Sequence, residues 1–132
     1  MEKEDSLDFL PSHFKHEKIY FIKKNLCDLT KLSNLNDNEL NQILRNSPLC
    51  SLNNLKKIRA VANFHCLIKI PPSEAYLLLH CGISTVKSLS TLNPYELKER
   101  IGRLERRLGT KTRSKITLSL LKSWINKAKI NL

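Results

Sequence analysis

Glycine, aromatic residues and long apolar runs are all scarce in this sequence. Only three glycines occur in 132 residues, which argues against a fold built from sheets and tight turns. Aromatic residues make up 6% of the chain. No run of about 18 apolar residues occurs, so we expect no membrane span. A Gly-rich phosphate loop, an H-E-x-x-H motif and a nucleophile elbow are also missing, and we predict that the protein is not an enzyme.

Paired cysteines are missing as well. The chain has four cysteines, none in a C-x-x-C pair: Cys27, Cys50, Cys66 and Cys81. Isolated thiols are typical of a reducing compartment rather than of a disulfide framework. The dipeptides His65-Cys66 and His80-Cys81 raise the alternative of a zinc site. Adjacent helical residues point about 100° apart, so neither dipeptide makes a natural bidentate clamp. We predict no metal and no cofactor.

The apolar residues that are present recur with helical spacing. We predict an all-α fold: a compact single-domain bundle of about six or seven helices over residues 16–132. Residues 1–15 are polar and acidic, and we expect a flexible arm from which Phe9 and Phe14 could dock on the body or on a partner. Within the bundle, residues 16–66 form an eroded first helical half and residues 67–132 a better-kept second half.

Three helices are predicted in the first half. The first covers Glu17–Lys31, because Ile19, Ile22, Leu26 and Leu29 step by three, four and three. The second covers Asp37–Asn46, after a capping-box pattern of Asn36 with Glu39. The third covers Leu52–Phe64 and begins after Ser51 as N-cap.

The second half carries clearer start and stop signals. Pro71 and Pro72 end one helix and begin another, which Gly82 closes with a left-handed cap. Ser84 is a predicted N-cap for a short helix, and Asn93 caps a longer one that starts at Pro94. The longer helix buries a face of leucine and isoleucine and ends at Gly109. A last helix is predicted over Ser114–Ile130, with Trp124 as a core residue.

Part of this second half resembles a known motif. The run A-Y-L-L-L-H-C-G-I-S-T-V, residues 75–86, resembles the second helix and exit of a helix-hairpin-helix. With G-R-L-E-R-R-L at 102–108 and W-I-N-K-A-K at 124–129, the chain from about Leu55 to Lys129 resembles an uncharacterised cyanobacterial and plastid family, DUF4332. The resemblance implies a helix-hairpin-helix core and no established activity.

The predicted hairpin departs from the motif that binds DNA. Hairpins of that kind usually read Gly-hydrophobic-Gly, and their backbone N–H groups hold a phosphate. Here Lys69 and Pro71 occupy the two glycine places around Ile70. Pro71 has no N–H, and neither residue tolerates positive φ well. We predict a degenerate hairpin without an anion cradle, in which Lys69 could still meet a phosphate as a point charge.

Charge is the strongest functional clue in the sequence. The formal net charge is +11, and residues 98–132 hold eleven basic and two acidic residues, which is +9 of it. Arg100, Arg103 and Arg107 share a helix face. The predicted binding residues for a nucleic acid or another polyanion are Arg100, Arg103, Arg106, Arg107, Lys111, Arg113, Lys115 and Lys69.

Two partners fit a basic face of this kind. The first is the backbone of DNA or RNA, bound weakly and without sequence preference. The alternative is an acidic protein partner, which would make the protein an interaction or assembly subunit of a plastid complex. A solubilising surface, or arginines paired with glutamates of the same helix, would explain the charge without any partner.

The composition also bears on location. The start M-E-K-E-D lacks an apolar secretory core and an Arg/Ser-rich transit peptide, so we expect the protein to stay where it is made. Abundant lysine, asparagine, isoleucine and leucine are typical of an AT-rich genome. Together with the resemblance, this predicts a plastid-encoded protein of the chloroplast stroma, with the cytoplasm as the alternative.

Overall fold

The computed structural model describes Leu7 and residues 10–108 and 116–132. Over these ranges the chain forms eight α-helices and one 3₁₀ turn, without a strand. The prediction of an all-α, single-domain bundle is therefore confirmed. The elements are the 3₁₀ turn Ser12–Phe14, α1 Lys15–Lys23, α2 Leu29–Ser33, α3 Asp37–Asn46, α4 Leu52–Ile68, α5 Pro72–His80, α6 Val86–Ser90, α7 Pro94–Leu108 and α8 Leu118–Ile130.

Helix α4 joins the two parts of the hydrophobic core. It has 17 residues, a length of about 25 Å at the usual helical rise. Ile58 and Ala62 lie in a buried cluster with residues of α1, α2 and α3. Val61 and Phe64 lie in a second buried cluster with residues of α5, α6, α7 and α8. Because α4 contributes to both clusters, the two halves of the chain fold around one shared helix.

The N-terminal segment packs against the helical body from an earlier residue than we predicted. Leu7, Leu10 and Phe14 are buried in the first cluster, and the ring of Phe14 meets the ring of Tyr76 edge-on at 5.8 Å. These side chains belong to the body, although we placed the boundary of the arm at residue 15. Phe9 and the remaining residues of the predicted arm before Leu10, at 1–6 and 8, lie outside the described residues.

The predicted first helix is wrong in extent and in orientation. The chain leaves the helical path after Lys23, passes through Asn25 at a φ of 57°, and starts again at Leu29. Ile19 and Ile22 are 48% and 56% exposed, although we placed both on the buried face. A helical period alone cannot fix the centre of the buried face, and here that centre is Phe21, which we expected only to widen the face.

Most predicted helix starts are confirmed. Asn36 and Glu39 form the expected capping box, with both side chain to backbone bonds at 2.8 Å. The Ser51 hydroxyl accepts a bond from the backbone N–H of Asn54 and caps α4. The side-chain oxygen of Asn93 accepts a bond from the N–H of Tyr95 at 2.8 Å at the start of α7. These signals work because donor and acceptor lie within three residues of each other.

Two predicted starts and one end are displaced. The N-cap of α6 is Thr85, one residue after the predicted Ser84. The last helix begins at Leu118 with Thr117 as its N-cap, and not at Ser114, because Thr117 has an extended backbone. Helix α4 continues to Ile68, beyond the predicted end at Phe64. Gly109, the predicted end of α7, falls in the stretch 109–115 outside the described residues.

The remaining landmarks of the second half are as predicted. Gly82 follows α5 with a φ of 87°, the left-handed conformation that a glycine adopts without strain. Trp124 is 2% exposed and lies in the second cluster, which confirms its role as a core residue. Leu97, Ile101 and Leu104 are buried along one face of α7, so the opposite face of this helix points to solvent.

Candidate nucleic-acid interface

The outward face of α7 carries the predicted arginines. Arg103 and Arg107 are exposed and Arg100 is partly exposed, because their positions lie along one edge of the buried face of the same helix. Steps of three and four residues bring these side chains into one row. The sequence pattern that predicted a shared basic face is therefore reproduced by the helix.

Two of the arginines have partners on their own helix. The Arg100 guanidinium lies 3.4 Å from the Glu96 carboxylate, and the Arg103 guanidinium lies 3.9 Å from the Glu99 carboxylate. Exposed pairs of this spacing contribute about 0.3–0.5 kcal/mol and are screened by salt. Such weak pairs leave the guanidinium groups able to exchange a carboxylate for a phosphate, since charge-assisted bonds to phosphate are at least as strong.

The arginines surround a small hollow between α7 and the end of α5. It has a volume of about 180 Å³ and is lined by six residues, His80, Cys81, Arg100, Arg103, Leu104 and Arg107. We call it the arginine hollow. Three guanidinium groups and an imidazole line it, and none of its lining residues is acidic. Its chemistry is that of a site for an anion with several oxygen atoms.

His80 is held at the rim of this hollow by aromatic contacts. The His80 ring lies edge-on to the Tyr76 ring, with 4.6 Å between the two ring centres. His80 is exposed, but partial burial of its ring lowers its pKa below the ordinary value, and the positive charges of Lys57, His13 and Arg107 lower it further. The neutral imidazole is favoured until a bound anion offsets these charges.

Cys81 lies in the same hollow but is not an activated thiol. Burial raises the pKa of the Cys81 thiol, and Glu105 acts in the same direction, while the guanidinium groups of Arg100 and Arg107 oppose this shift. The net effect keeps the thiol protonated, so it is a poor nucleophile. The charges of the hollow therefore point to binding rather than to cysteine chemistry.

The connection between α4 and α5 is a compact turn of three residues, Lys69 to Pro71. Lys69 adopts a φ of 63°, although we expected it to resist the left-handed conformation. The Lys69 N–H donates to the carbonyl of His65 at 3.1 Å, and the Ile70 N–H donates to the carbonyl of Phe64 at 3.4 Å. Both N–H groups close the end of α4, and Ile70 is buried in the second cluster.

The geometry of this turn bears on its use as an anion site. The N–H groups at positions 69 and 70 are occupied within the turn, and Pro71 and Pro72 have none. Glu74 lies in the first turn of α5, where the positive end of the helix is, and burial raises the pKa of its carboxyl. A carboxyl group at this position competes with any incoming anion. The turn offers packing rather than a cradle for phosphate.

The predicted binding residues separate into three groups. Arg100, Arg103 and Arg107 line the arginine hollow together. Arg106 is exposed, and its guanidinium lies along Gly102, outside the lining of the hollow. Lys69 is exposed at the end of α4 and does not line the hollow either. Three of the predicted residues, Lys111, Arg113 and Lys115, lie outside the described residues.

Sequence reasoning missed two residues that belong with the arginines. His80 was weighed only as a zinc ligand, yet it lines the arginine hollow. Lys57 has no role in the sequence analysis, yet its charge acts on the pKa of His80. Both come from helices that are distant from α7 in the sequence. The one available signal is the position of His80 two residues before Gly82, which places it at a helix end.

Alternative uses of the histidines and cysteines find no support in the described residues. Over Leu7, 10–108 and 116–132, no three His, Cys, Asp or Glu side chains are grouped so that they could hold a metal ion. His65 Nδ1 lies 3.0 Å from the carbonyl oxygen of Ile70, and the Cys66 thiol lies 3.9 Å from the hydroxyl of Thr30. Across the same ranges, no helix is long and apolar enough to cross a membrane.

These features define an all-helical protein with a cationic hollow at the junction of two helices. Residues 11–131 match the family described as Domain of unknown function (DUF4332), so the chain belongs to that family. No curated protein and no solved structure matched the chain.

Proposed function

We propose that this protein is a non-enzymatic module that binds the phosphate backbone of nucleic acid, weakly and without sequence preference, through its arginine hollow. The observation that carries the proposal is the convergence of three arginine side chains and His80 on one hollow that no acidic residue lines. The formal net charge of +11 supports the same reading, because it concentrates anionic polymers around the protein.

Lack of sequence preference follows from the kind of groups present. Guanidinium groups on the outer face of α7 offer donors to phosphate oxygens, and such contacts position a nucleic acid without reading its bases. Tyr95 is the exposed aromatic residue of α7, and the ammonium of Lys122 lies 5.4 Å from its ring centre. One aromatic side chain that is already covered by a cation is a poor platform for stacking bases.

The turn between α4 and α5 has a different role in this proposal. We propose that α4 and α5 are a degenerate helix-hairpin-helix, with the turn kept for packing and the phosphate contacts moved to α7. The pairing of α4 with α5 through a turn of three residues supports this. So does the use of the turn's own N–H groups inside the turn.

Binding to labelled duplex and single-stranded DNA and RNA, titrated from low to physiological salt, tests the proposal. We expect binding at low salt that weakens as salt rises, since counterion release supplies most of the affinity. The variant Arg103→Glu/Arg107→Glu should abolish binding without unfolding the protein. A matched control is Lys127→Glu/Lys129→Glu, which changes net charge equally at exposed positions of α8. No binding at low salt would reject the proposal.

A second candidate function is docking of an acidic protein partner, as an interaction or assembly subunit. The observation that favours it is the loss of the backbone phosphate cradle at the α4–α5 turn. The same arginines would then meet carboxylates. A stoichiometric protein partner that survives nuclease treatment in a pull-down, and that is lost in the Arg103→Glu/Arg107→Glu variant, would favour this candidate over nucleic acid.

We also propose that the protein is encoded and located in a plastid, in the chloroplast stroma. Support comes from the abundance of lysine, asparagine, isoleucine and leucine, which is typical of AT-rich genomes. Detection of the protein in purified chloroplasts, with its gene in the plastid DNA, is the test. A nuclear gene, or a protein recovered only from the cytoplasm, would contradict this location.

A further inference from the structure

The arginine hollow has a neighbour on the other side of the end of α5. This second hollow has a volume of about 420 Å³ and lies between α4 and the connection from α5 to α6. We call it the α4 hollow. The residues that matter here are Asn53, Lys56, Lys57, Arg59, Asn63 and Leu79. None of the residues that line it is acidic, so it is cationic like the arginine hollow.

Consecutive residues at the end of α5 line the two hollows. Leu79 lines the α4 hollow and His80 lines the arginine hollow, and consecutive Cα atoms are about 3.8 Å apart. Lys57 from one side and Arg107 from the other both act on the charge state of His80. The end of α5 therefore contributes residues to both basic surfaces.

The lysines of the α4 hollow are available to a ligand. Arg59 is held by the carboxylate of Asp37 at 3.0 Å and by the carbonyl of Leu35 at 3.1 Å. Lys56 and Lys57 are exposed and have no ion-pair partner in the part of the chain that the structure describes. Their two ammonium groups add to the positive charge of the guanidinium groups in the arginine hollow.

We propose that the two hollows form one continuous track for a single-stranded nucleic acid, whose phosphates contact Arg103 and Arg107 on α7 and then Lys56 and Lys57 on α4. This inference rests on the proposed function, because it extends the same binding surface. A single strand is the fitting ligand, since its backbone bends over a helix end between two concave surfaces. A duplex is stiff over a persistence length of about 150 base pairs, so following that path would cost it bending free energy that a single strand does not spend.

The track gives the polar side chains of the α4 hollow a use. Asn53 and Asn63 are neutral and can both donate and accept hydrogen bonds. They lie beside the lysines on α4, where the sugars and base edges of a strand would pass. Contacts of this type do not require a particular base, which agrees with binding that lacks sequence preference.

Charge-removing variants test the track. Fluorescence anisotropy with a labelled 12-nucleotide single strand would compare the wild type with Lys56→Gln/Lys57→Gln and with Arg103→Gln/Arg107→Gln. Lys127→Gln/Lys129→Gln is the matched control, because these exposed lysines line neither hollow. Glutamine preserves helix propensity, and thermal unfolding would verify that each variant folds.

The following results are expected if one strand contacts both hollows at once. Each of the two hollow variants should bind roughly tenfold more weakly, with the slope of log affinity against log salt reduced by about 1.4, or about 0.7 per lost phosphate contact. The control should retain most of the wild-type affinity. Native mass spectrometry should show one strand for each protein.

Other outcomes separate the track from the proposed function. If the Arg103/Arg107 variant binds more weakly but the Lys56/Lys57 variant matches the control, the track is wrong and the arginine hollow stands. If both variants match the control, both proposals are wrong. Two strands bound to one protein would mean separate sites and would also overturn the track. Loss in the Lys56/Lys57 variant alone would overturn both the arginine face and the track, as would a wild type that does not bind at low salt.

Discussion

The carboxylate of Glu17 accepts a hydrogen bond from the backbone N–H of Ser51 at 2.7 Å, across a sequence separation of 34 residues. Glu17 is 1% exposed, and its second oxygen lies 3.3 Å from the side-chain amide of Asn54. Ser51 is the N-cap of α4. A negative group at this point satisfies a backbone N–H and a side-chain amide at the positive end of α4, and it fixes α1 to α4.

Replacing Glu17 with glutamine should destabilise the fold. Glutamine keeps the shape but removes the charge, and its NH₂ group would face donors where the carboxylate accepts two bonds. We expect a loss of about 2–3 kcal/mol in the free energy of unfolding, measured by urea denaturation. Glu39→Gln is the matched control, since Glu39 is exposed and its bond to Asn36 is local. Equal losses in the two variants would show that the burial of Glu17 does not increase its contribution to the free energy of unfolding.

Lys69 offers a test of the left-handed end of α4. A residue with a side chain is strained by about 1–2 kcal/mol in this conformation. Glycine adopts it without strain, but the greater conformational entropy of glycine stabilises the unfolded chain by about 0.4–1 kcal/mol. Lys69→Gly should therefore raise the free energy of unfolding by up to about 1 kcal/mol.

Two further substitutions control for this effect. Lys69→Ala keeps the strain without the charge and should leave stability close to that of the wild type. Lys69→Val places a β-branched residue at positive φ and should lower stability. A loss of stability in Lys69→Gly would contradict a left-handed conformation at this position.

The orientation of α1 can be tested with a pair of neighbouring residues. Phe21 is 1% exposed and Ile19 is 48% exposed. Phe21→Ala should lower the free energy of unfolding by about 3–5 kcal/mol, because it leaves a cavity in the first cluster. Ile19→Ala should change it by less than about 0.5 kcal/mol, as for most surface positions. The reverse order would restore the helix face that the sequence pattern predicted.

His80 should make the stability of the protein depend on pH. Its pKa in the folded protein lies below the ordinary value of 6.5, because of burial and then of Lys57, His13 and Arg107. The unfolded chain therefore binds the proton more readily. The contribution of His80 to stability is present above about pH 6.5 and is lost as pH falls through the lower folded pKa.

Proton NMR titration of the imidazole can check this sign. Lys57→Met and Arg107→Met should each raise the pKa of His80, while Lys127→Met, on α8, should leave it unchanged. Neither variant should restore the ordinary value fully, since burial is the largest cause of the shift. Tyr76 contacts the imidazole ring, and Glu105 on α7 acts on the neighbouring Cys81. The chemical shifts of both residues should be recorded in the same titration, because they are further titratable groups near His80. A His80 pKa above 6.5 in the wild type would contradict the prediction.

The sequence by itself determined the features that depend on near neighbours. The capping box of Asn36 with Glu39, the cap at Asn93 and the left-handed Gly82 were all predictable. Each depends on atoms within about one helical turn, so the residue types decide the geometry. The shared face of Arg100, Arg103 and Arg107 was predictable for the same reason.

Only the tertiary structure decided which helix faces are buried and which charges meet. Helical period allowed either Ile19 or Phe21 to face the core, and packing against α2, α3 and α4 selected Phe21. The bond from Ser51 to Glu17 and the position of His80 beside Arg107 join residues far apart in the sequence. Their formation depends on burial and on the path of the whole chain, and local sequence patterns carry no information about either.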